Sequence, residues 1–461
     1  MDPIVLPPGP SAPRAVHGAI ALAAKLPAMR RMRARYGSAF TVDVPIFGRA
    51  VVISDPAEIK QLFTTSPALA DNLEINLGRV LGPGSLFALE GEAHRKQRKL
   101  LVPPFHGRRL ATYESIIEEE TVRELASWPQ SREFATLPSM MRITLNAILR
   151  AVFGARGGDL EALRTLLPPF VTLGSRLAVL PIPHADLGRF SPWGRFYAIR
   201  RDYDAIIERL ISTAEQDPSL DERNDVLALL LQSRYDDGTA MSHAEIADQL
   251  LTLLTAGHET TATTLAWAIE RLRRHPAVLR RLVEEADAGG SALREAAIME
   301  VQRTRPVIDL TARQVKAESL QLGRWTLPRG QVVLVSIALI HDDDAVFPNA
   351  RCFDPDRFVD AKPDTYEWIP FGGGTRRCIG AAFAAMEMNV VLRTLLRDFT
   401  LLPTDAPDER WHSRGVAFAP AKGGRAVVLR RSPAASPESI GAWHVDWRRT
   451  GRQSTPKAPV N

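Results

Sequence analysis

Cysteine is scarce: the 461 residues contain two, and neither belongs to a Cys-x-x-Cys pair. That excludes a disulfide framework and a four-cysteine zinc site, and it favours a reducing compartment. Long apolar runs are missing too. The uncharged, alanine-rich stretch from Ala15 to Ala24 lies between Arg14 and Lys25, well short of the ~20 residues that a membrane span needs. Pro7-Pro8-Gly9-Pro10 precedes it and a basic run follows. This order argues against an export signal and for a cytoplasmic chain, while the amphipathic segment leaves peripheral membrane contact open. Nor is there much excess charge, since 58 Lys plus Arg face 53 Asp plus Glu, a balance of +5. The densest basic runs, Arg30 to Arg35 and Arg95 to Lys99, carry no interleaved aromatics that would stack bases. No nucleic-acid partner is expected, and the runs read as solvated helix faces or as a dock for an acidic protein.

What is present is a core-forming composition, with 45% hydrophobic and 24% charged residues over a length that would allow roughly three domains of ~150 residues. Ala39 to Asp43 and Ala50 to Ser54 are apolar runs around Pro45-Ile46-Phe47-Gly48 and predict an early hairpin. From Pro56 to about Gln314 the pattern is helical, broken by Gly and Pro. A second apolar pair, Leu320 to Leu327 and Gln331 to Ile340, flanks the turn Pro328-Arg329-Gly330. The segment from Ser432 to Asn461 is rich in Ser, Pro and Arg and reads as a disordered tail.

One helix should be unusually long. Ser242-His243-Ala244-Glu245 has capping-box spacing, and no proline follows until His275-Pro276. A helix over that span would be about 50 Å long and must cross the core. At its middle stands Ala256-Gly257-His258-Glu259-Thr260-Thr261. A glycine, a carboxylate and hydroxyls there imply either a kink with Glu259 in solvent or a groove where a ligand and water meet an acid and a hydroxyl.

Downstream, Phe371-Gly372-Gly373-Gly374-Thr375-Arg376-Arg377-Cys378-Ile379-Gly380 precedes a helical run from Ala381 to Phe399. Glycines let amide N–H groups converge, and these amides, a helix N-terminus and two arginines favour a thiolate at Cys378. No lysine follows the glycines as in a phosphate-binding P-loop, no arginine follows Cys378 to hold a phosphoryl substrate, and no further zinc ligands lie nearby. A single thiolate on a haem iron, with cations for the propionates, fits this set. Cys352, in Arg351-Cys352-Phe353, has no such surroundings and reads as structural.

The ten residues from Phe371 to Gly380 resemble the haem-binding loop of the cytochromes P-450, the haem-thiolate monooxygenases. The resemblance covers about Tyr36 to Arg430, because the other family motifs occur in order. Ala256-Gly257-His258-Glu259-Thr260 is similar to the oxygen-activating segment of the long central helix. Glu300-Val301-Gln302-Arg303 matches Glu-x-x-Arg, and Phe353-Asp354-Pro355-Asp356-Arg357-Phe358 matches the segment whose arginine joins that pair. The implied fold is mainly α with small β-sheets, its central helix crossing the core over the haem. Residues 36–431 would be a single domain, after a lead segment 1–35 and before the tail 432–461.

The resemblance also implies site roles. Cys378 would be the axial ligand of the iron of haem b, with Phe371 and Gly374 in its loop. His94 and Arg98, in a His-x-x-x-Arg spacing, would bind the propionates together with Arg313 and Arg376. Glu300, Arg303 and Arg357 would form the structural network bracing the cysteine loop, while Ala256, Gly257, Glu259 and Thr260 would serve oxygen and proton delivery. The implied reaction inserts one atom of O₂ into an apolar small molecule. Electrons would come from a separate ferredoxin-type donor with its NAD(P)H reductase, docked near Arg95 to Lys99. A peroxide-driven peroxygenase of the same fold is disfavoured because such members resemble an Arg-Pro pair at the acid-threonine position. A haem sensor or carrier would leave Glu259-Thr260 without a purpose. Phe87, Val307, Ile308 and Val416 to Phe418 are the expected pocket-lining residues, with Asp309 as a polar anchor or a turn residue.

Overall fold

The computed structural model describes residues 3–11, 26–44, 48–73, 76–154, 157–179 and 185–431. The expected tail, the alanine-rich run over 15–24 and the turn residues 45–47 lie outside them. Ala39–Val44 and Gly48–Ile53 form the expected hairpin, in register from Ala39 opposite Ile53 to Val44 opposite Gly48. Val332–Ser336 joins it in parallel, followed by Leu310–Val315 and the short edge Ala70–Asp71. Side chains alternate between two cores: Val51, Ile53, Val333 and Val335 on one face, Val52, Val332 and Leu334 on the other. Burial on both faces explains why these strands read as continuous apolar runs.

Two sequence expectations change here. The helical pattern does not reach Gln314, because the helix Ala292–Thr304 stops before Pro306 and Leu310–Val315 is a strand. Proline disfavours helical backbone in the residue before it, and the following β-branched residues find strand partners. The late apolar stretches do not pair across Pro328-Arg329-Gly330 either. Ser319–Leu322 pairs with Trp325–Pro328, whereas Val332–Ser336 leaves for the five-stranded sheet and leads into the helix Ile337–His341. Gly323, at φ +55°, makes the tighter turn available five residues before Pro328, where the proline signal suggests it.

The helices share one large core. His243–Leu272 runs for 30 residues, about 45 Å. Its capping box is formed: Ser242 Oγ accepts from Glu245 N at 3.3 Å and Ser242 N donates to Glu245 Oε2 at 2.8 Å. Leu137–Phe153 packs across its middle, where Thr144 Oγ1 donates to the His258 carbonyl at 3.0 Å. At its N-terminal half, Asp248 accepts from Gly84 N at 2.8 Å and Thr252 Oγ1 donates to Ser85 Oγ at 2.9 Å, holding the loop that precedes His94. In the basic run near the N-terminus, Arg30 binds Asp342 at 2.5 Å and Arg33 binds Asp343, so these two arginines fasten their helix to the chain. Among the described residues no helix is long and apolar enough to cross a membrane.

Candidate active site

The cysteine loop is built from a turn and a close approach. Cys378 N donates to the Phe371 carbonyl at 2.9 Å, closing the loop on itself, and the Phe371 ring stands edge-on to Trp368. Gly374 has φ +65°, and a Cβ there would lie 2.1 Å from the Phe63 carbonyl oxygen. Only glycine allows the loop to lie this close to the helix Pro56–Thr64. Cys378 has solvent-accessible surface, yet protein crowds it closely enough that burial pushes its thiol up, against the opposing pull of Gly380 N–H, Arg98 and Arg377. The cysteine is thus accessible and closely surrounded by protein at once. Loop amides and arginines favour the thiolate as expected, and desolvation opposes them more strongly. Coordination to a metal deprotonates a thiol outright.

Around Cys378 stand three arginines and a histidine with few counter-charges. His94 and Arg98, one turn apart on the helix Gly91–Leu101, meet Arg313 from the sheet and Arg376 from the loop. Burial pushes His94 down to about 4, helped by Arg376 and Arg98, so the ring is neutral. Burial likewise pushes Arg313 down to about 10. Its hydrogen bonds go to the Ala312 and Gly373 carbonyls, at 2.8 and 3.2 Å, and its guanidinium lies over the Phe63 ring. Arg98 makes no side-chain hydrogen bond or ion pair among the described residues. Arg376 is the exception: it holds Asp71 at 2.8 Å and the Leu86 and Leu89 carbonyls at 3.0 and 2.7 Å. Among the described residues, one carboxylate against three arginines, Arg313 buried and Arg98 and Arg376 half-buried, is a setting for a dianionic ligand. Among the described residues no three His, Cys, Asp or Glu side chains gather into a metal site. The residues present therefore fit a haem held by one thiolate and by cations at its propionates.

Glu300 and Arg303 form a fully buried ion pair, with Nε to Oε2 and Nη2 to Oε1 both at 2.7 Å. The remaining Arg303 donors reach the carbonyls of His341, Ala350 and Cys352 at 2.6, 2.7 and 3.1 Å. Arg357 Nε and Asp354 N donate to Glu300 Oε1 at 3.3 and 2.9 Å. The brace continues through His341, whose Nε2 accepts from Ile369 N at 3.0 Å, two residues before Phe371. Cys352 thus contributes its carbonyl, and its thiol is exposed.

At the middle of the central helix the α-helix runs unbroken. Thr260 Oγ1 donates back to the Ala256 carbonyl at 2.8 Å, and Ala256, within a helix surrounded by core, is exposed. Gly257 faces Ile148, and a Cβ there would sit at ordinary contact distance, 3.4 Å. Glu259 does not face solvent as the kink reading required. Its side chain is 8% exposed, and Arg414 Nε donates to its Oε1 at 2.8 Å. Val307, Ala417 and Phe418 come together, Phe418 N donating to the Val307 carbonyl at 2.9 Å, while Phe87 stands out as an exposed apolar residue.

Sequence reasoning missed three groups. Asp71 and Arg414 partner site residues 305 and 155 positions away, and no local spacing signals such a pair. Glu387, on the helix Ala381–Asp398, is fully buried with neither carboxyl oxygen hydrogen-bonded, and burial pushes its carboxyl well up against the opposing pull of the Thr261 hydroxyl. A lone Glu on the buried face of an apolar helix was its available signal.

Residues 7–424 match the cytochrome P450 family model. The chain is similar to cytochrome P450 138 of Mycobacterium tuberculosis, at 57% identity over 93% of this chain and 98% of that one. It is also similar to cytochrome P450 135B1 of the same organism, at 39% over 92% and 91%. Among solved structures, a retinoic acid-bound cyanobacterial CYP120A1 superposes with a TM-score of 0.82 at 24% identity, covering 93% of this chain and 100% of that one. By motif, fold and relatives together, the chain belongs to the cytochrome P450 family of haem b monooxygenases.

Proposed function

We propose that this chain inserts one atom of O₂ into an apolar small molecule in the cytoplasm, with electrons from a ferredoxin-type donor and its NAD(P)H reductase, in a single unit over residues 36–431. The observation that carries the reading is the cluster of Cys378, His94, Arg98, Arg313 and Arg376, with Asp71 the one carboxylate among its described residues. Cys378 would ligate the iron and the four basic residues would face the propionates, Arg376 with what its bonds to Asp71 leave free. Haem bound in this way supplies O₂ activation, the thiolate favouring O–O cleavage.

The chain's own residues then manage protons and water. Thr260, its hydroxyl anchored on the Ala256 carbonyl, orders water by hydrogen bonding. Glu259 passes protons to that hydroxyl from the Arg414 side. Apolar surface from Val307, Ile308 and Val416 to Phe418 receives the substrate. The Glu300–Arg303–Arg357 network braces the cysteine loop. For the electron donor we propose the helix Gly91–Leu101. Arg95 is 80% and Lys99 66% exposed, and Lys99 would exchange its surface partner Asp236 for an acidic group of the donor.

The test is the spectrum of the reduced, carbon-monoxide-bound protein. A red-shifted Soret band is expected, and its absence from a folded, haem-loaded sample would overturn the reading. Turnover with ferredoxin and reductase, but not with peroxide alone, is expected to exclude the peroxygenase alternative. Substrate-dependent NAD(P)H consumption would exclude a carrier.

A further inference from the structure

The C-terminal hairpin, Trp411–Ser413 paired with Phe418–Pro420, touches several parts of the site from one turn. Arg414 N donates to the Ala417 carbonyl at 2.9 Å, closing the turn. From there Arg414 Nε reaches Glu259 Oε1 at 2.8 Å, and Val416 N donates to Ser175 Oγ at 2.9 Å. Ser175 belongs to the helix Gly158–Val179. Gly415 has φ +114°, and a Cβ there would fall 2.5 Å from Ser175 Oγ, so the turn sits directly on that helix. On the other side, Trp267 Nε1 of the central helix donates to the Phe418 carbonyl at 3.0 Å.

Among the described residues Arg414 is the one ion-pair partner of Glu259, through a single N–H···O contact. A covered carboxylate without a partner is costly, so this contact fixes where the carboxylate lies. It engages Oε1 and leaves Oε2 without a protein donor among the described residues. The same short turn carries both the Glu259 contact and the Ser175 contact, two residues apart. Displacement of the Gly158–Val179 helix must therefore pull on the turn that holds the acid.

We propose that Arg414 is a positioning residue of the proton relay: it holds Glu259 by Oε1 so that Oε2 exchanges protons, and the Val416–Ser175 bond makes that hold depend on the Gly158–Val179 helix being in place. This rests on the reading of Glu259 as a relay acid. Two measurements on the haem-loaded enzyme test it. In protein carrying ¹⁵N-labelled arginine, the Arg414 Nε–H is expected to exchange slowly with solvent and to lose that protection in Glu259→Gln and in Ser175→Ala. With a plant-type ferredoxin and its reductase, the share of NAD(P)H electrons that reduces O₂ to water rather than peroxide is expected to fall about threefold in Arg414→Gln, a small part of the roughly 10²–10⁴ that a proton-transfer group supplies. Arg414→Lys should restore it, since one N–H···O contact does not need the guanidinium fork. Ser175→Ala should lower it less.

An unchanged water yield in Arg414→Gln, alongside a loss in Glu259→Gln, would overturn the proposal. So would failure of Arg414→Lys to restore a yield that Arg414→Gln had lowered, because the arginine would then act through folding alone. Ser175→Ala with Arg414 exchange unaltered would overturn the link to the helix. If Glu259→Gln itself changes nothing, the relay reading fails instead. Should Arg414→Gln not fold, Arg414→Lys and Ser175→Ala carry the same comparison.

Discussion

The brace behind the cysteine loop and the middle of the central helix use their polar groups in opposite ways. Around Glu300 and Arg303 both charges are fully buried, and the pair, Arg357, Asp354 N and three carbonyls satisfy one another. Such a network has no capacity left for a reactant, and its effect is rigidity. Around Thr260, among the described residues, the hydroxyl bonds only to its own helix, Glu259 has one side-chain partner, and neighbouring surface is accessible. That region keeps hydrogen-bonding capacity unused. One region is saturated with hydrogen bonds, and the other is not.

The largest effect expected on either side is that of Cys378→Ala, which should abolish the red-shifted carbon-monoxide band and monooxygenase turnover while leaving helix content by circular dichroism near wild type. Next is Arg303→Ala, which strands Glu300 in the core. A loss of about 3–5 kcal/mol in chemical denaturation is expected, as for a broken buried pair, together with reduced haem retention. A loss below about 1 kcal/mol, the value of a surface pair, would erase the distinction between the two regions. Thr260→Ala should do the converse. Its melting temperature and haem content should stay near wild type while more NAD(P)H electrons end in peroxide. Equal product per NAD(P)H in mutant and wild type would remove the central helix from the chemistry.

Smaller effects concern pH. Burial holds His94 at about 4 and His341 at about 3, below the ordinary 6.5. Both bind fewer protons folded than unfolded, so their contribution is present above pH 6.5 and is lost as pH falls toward 4. Melting temperature should decline over that window, and less steeply in His341→Gln than in wild type. Glu387 has the opposite sign, because its pKa is raised on folding. Its contribution is present below the ordinary 4.5 and is lost as pH rises. Glu387→Gln is therefore expected to melt slightly higher than wild type at pH 8, with the gain fading toward pH 4.

Much of this was legible because the relevant contacts are short in sequence. The capping box at Ser242 and Glu245, the i, i+3 pair Glu300 and Arg303, and the glycine loop before Cys378 are all set by residues within one turn or one loop. His94 and Arg98 belong to the same class. The late hairpin was displaced because glycine and proline signals compete, and only pairing chose between them. Asp71 beside Arg376 and Arg414 beside Glu259 were invisible, since each pair joins distant segments and nothing local marks either partner.

The sequence alone determined the glycine loop before Cys378 and the long helix that carries Glu259 and Thr260, since backbone propensity and side-chain spacing act over a few residues. Tertiary structure alone decided which arginines kept a counter-charge, which way the thiol and the buried acids shifted, and what holds Glu259. Those outcomes depend on desolvation and on Coulomb partners that only packing brings together.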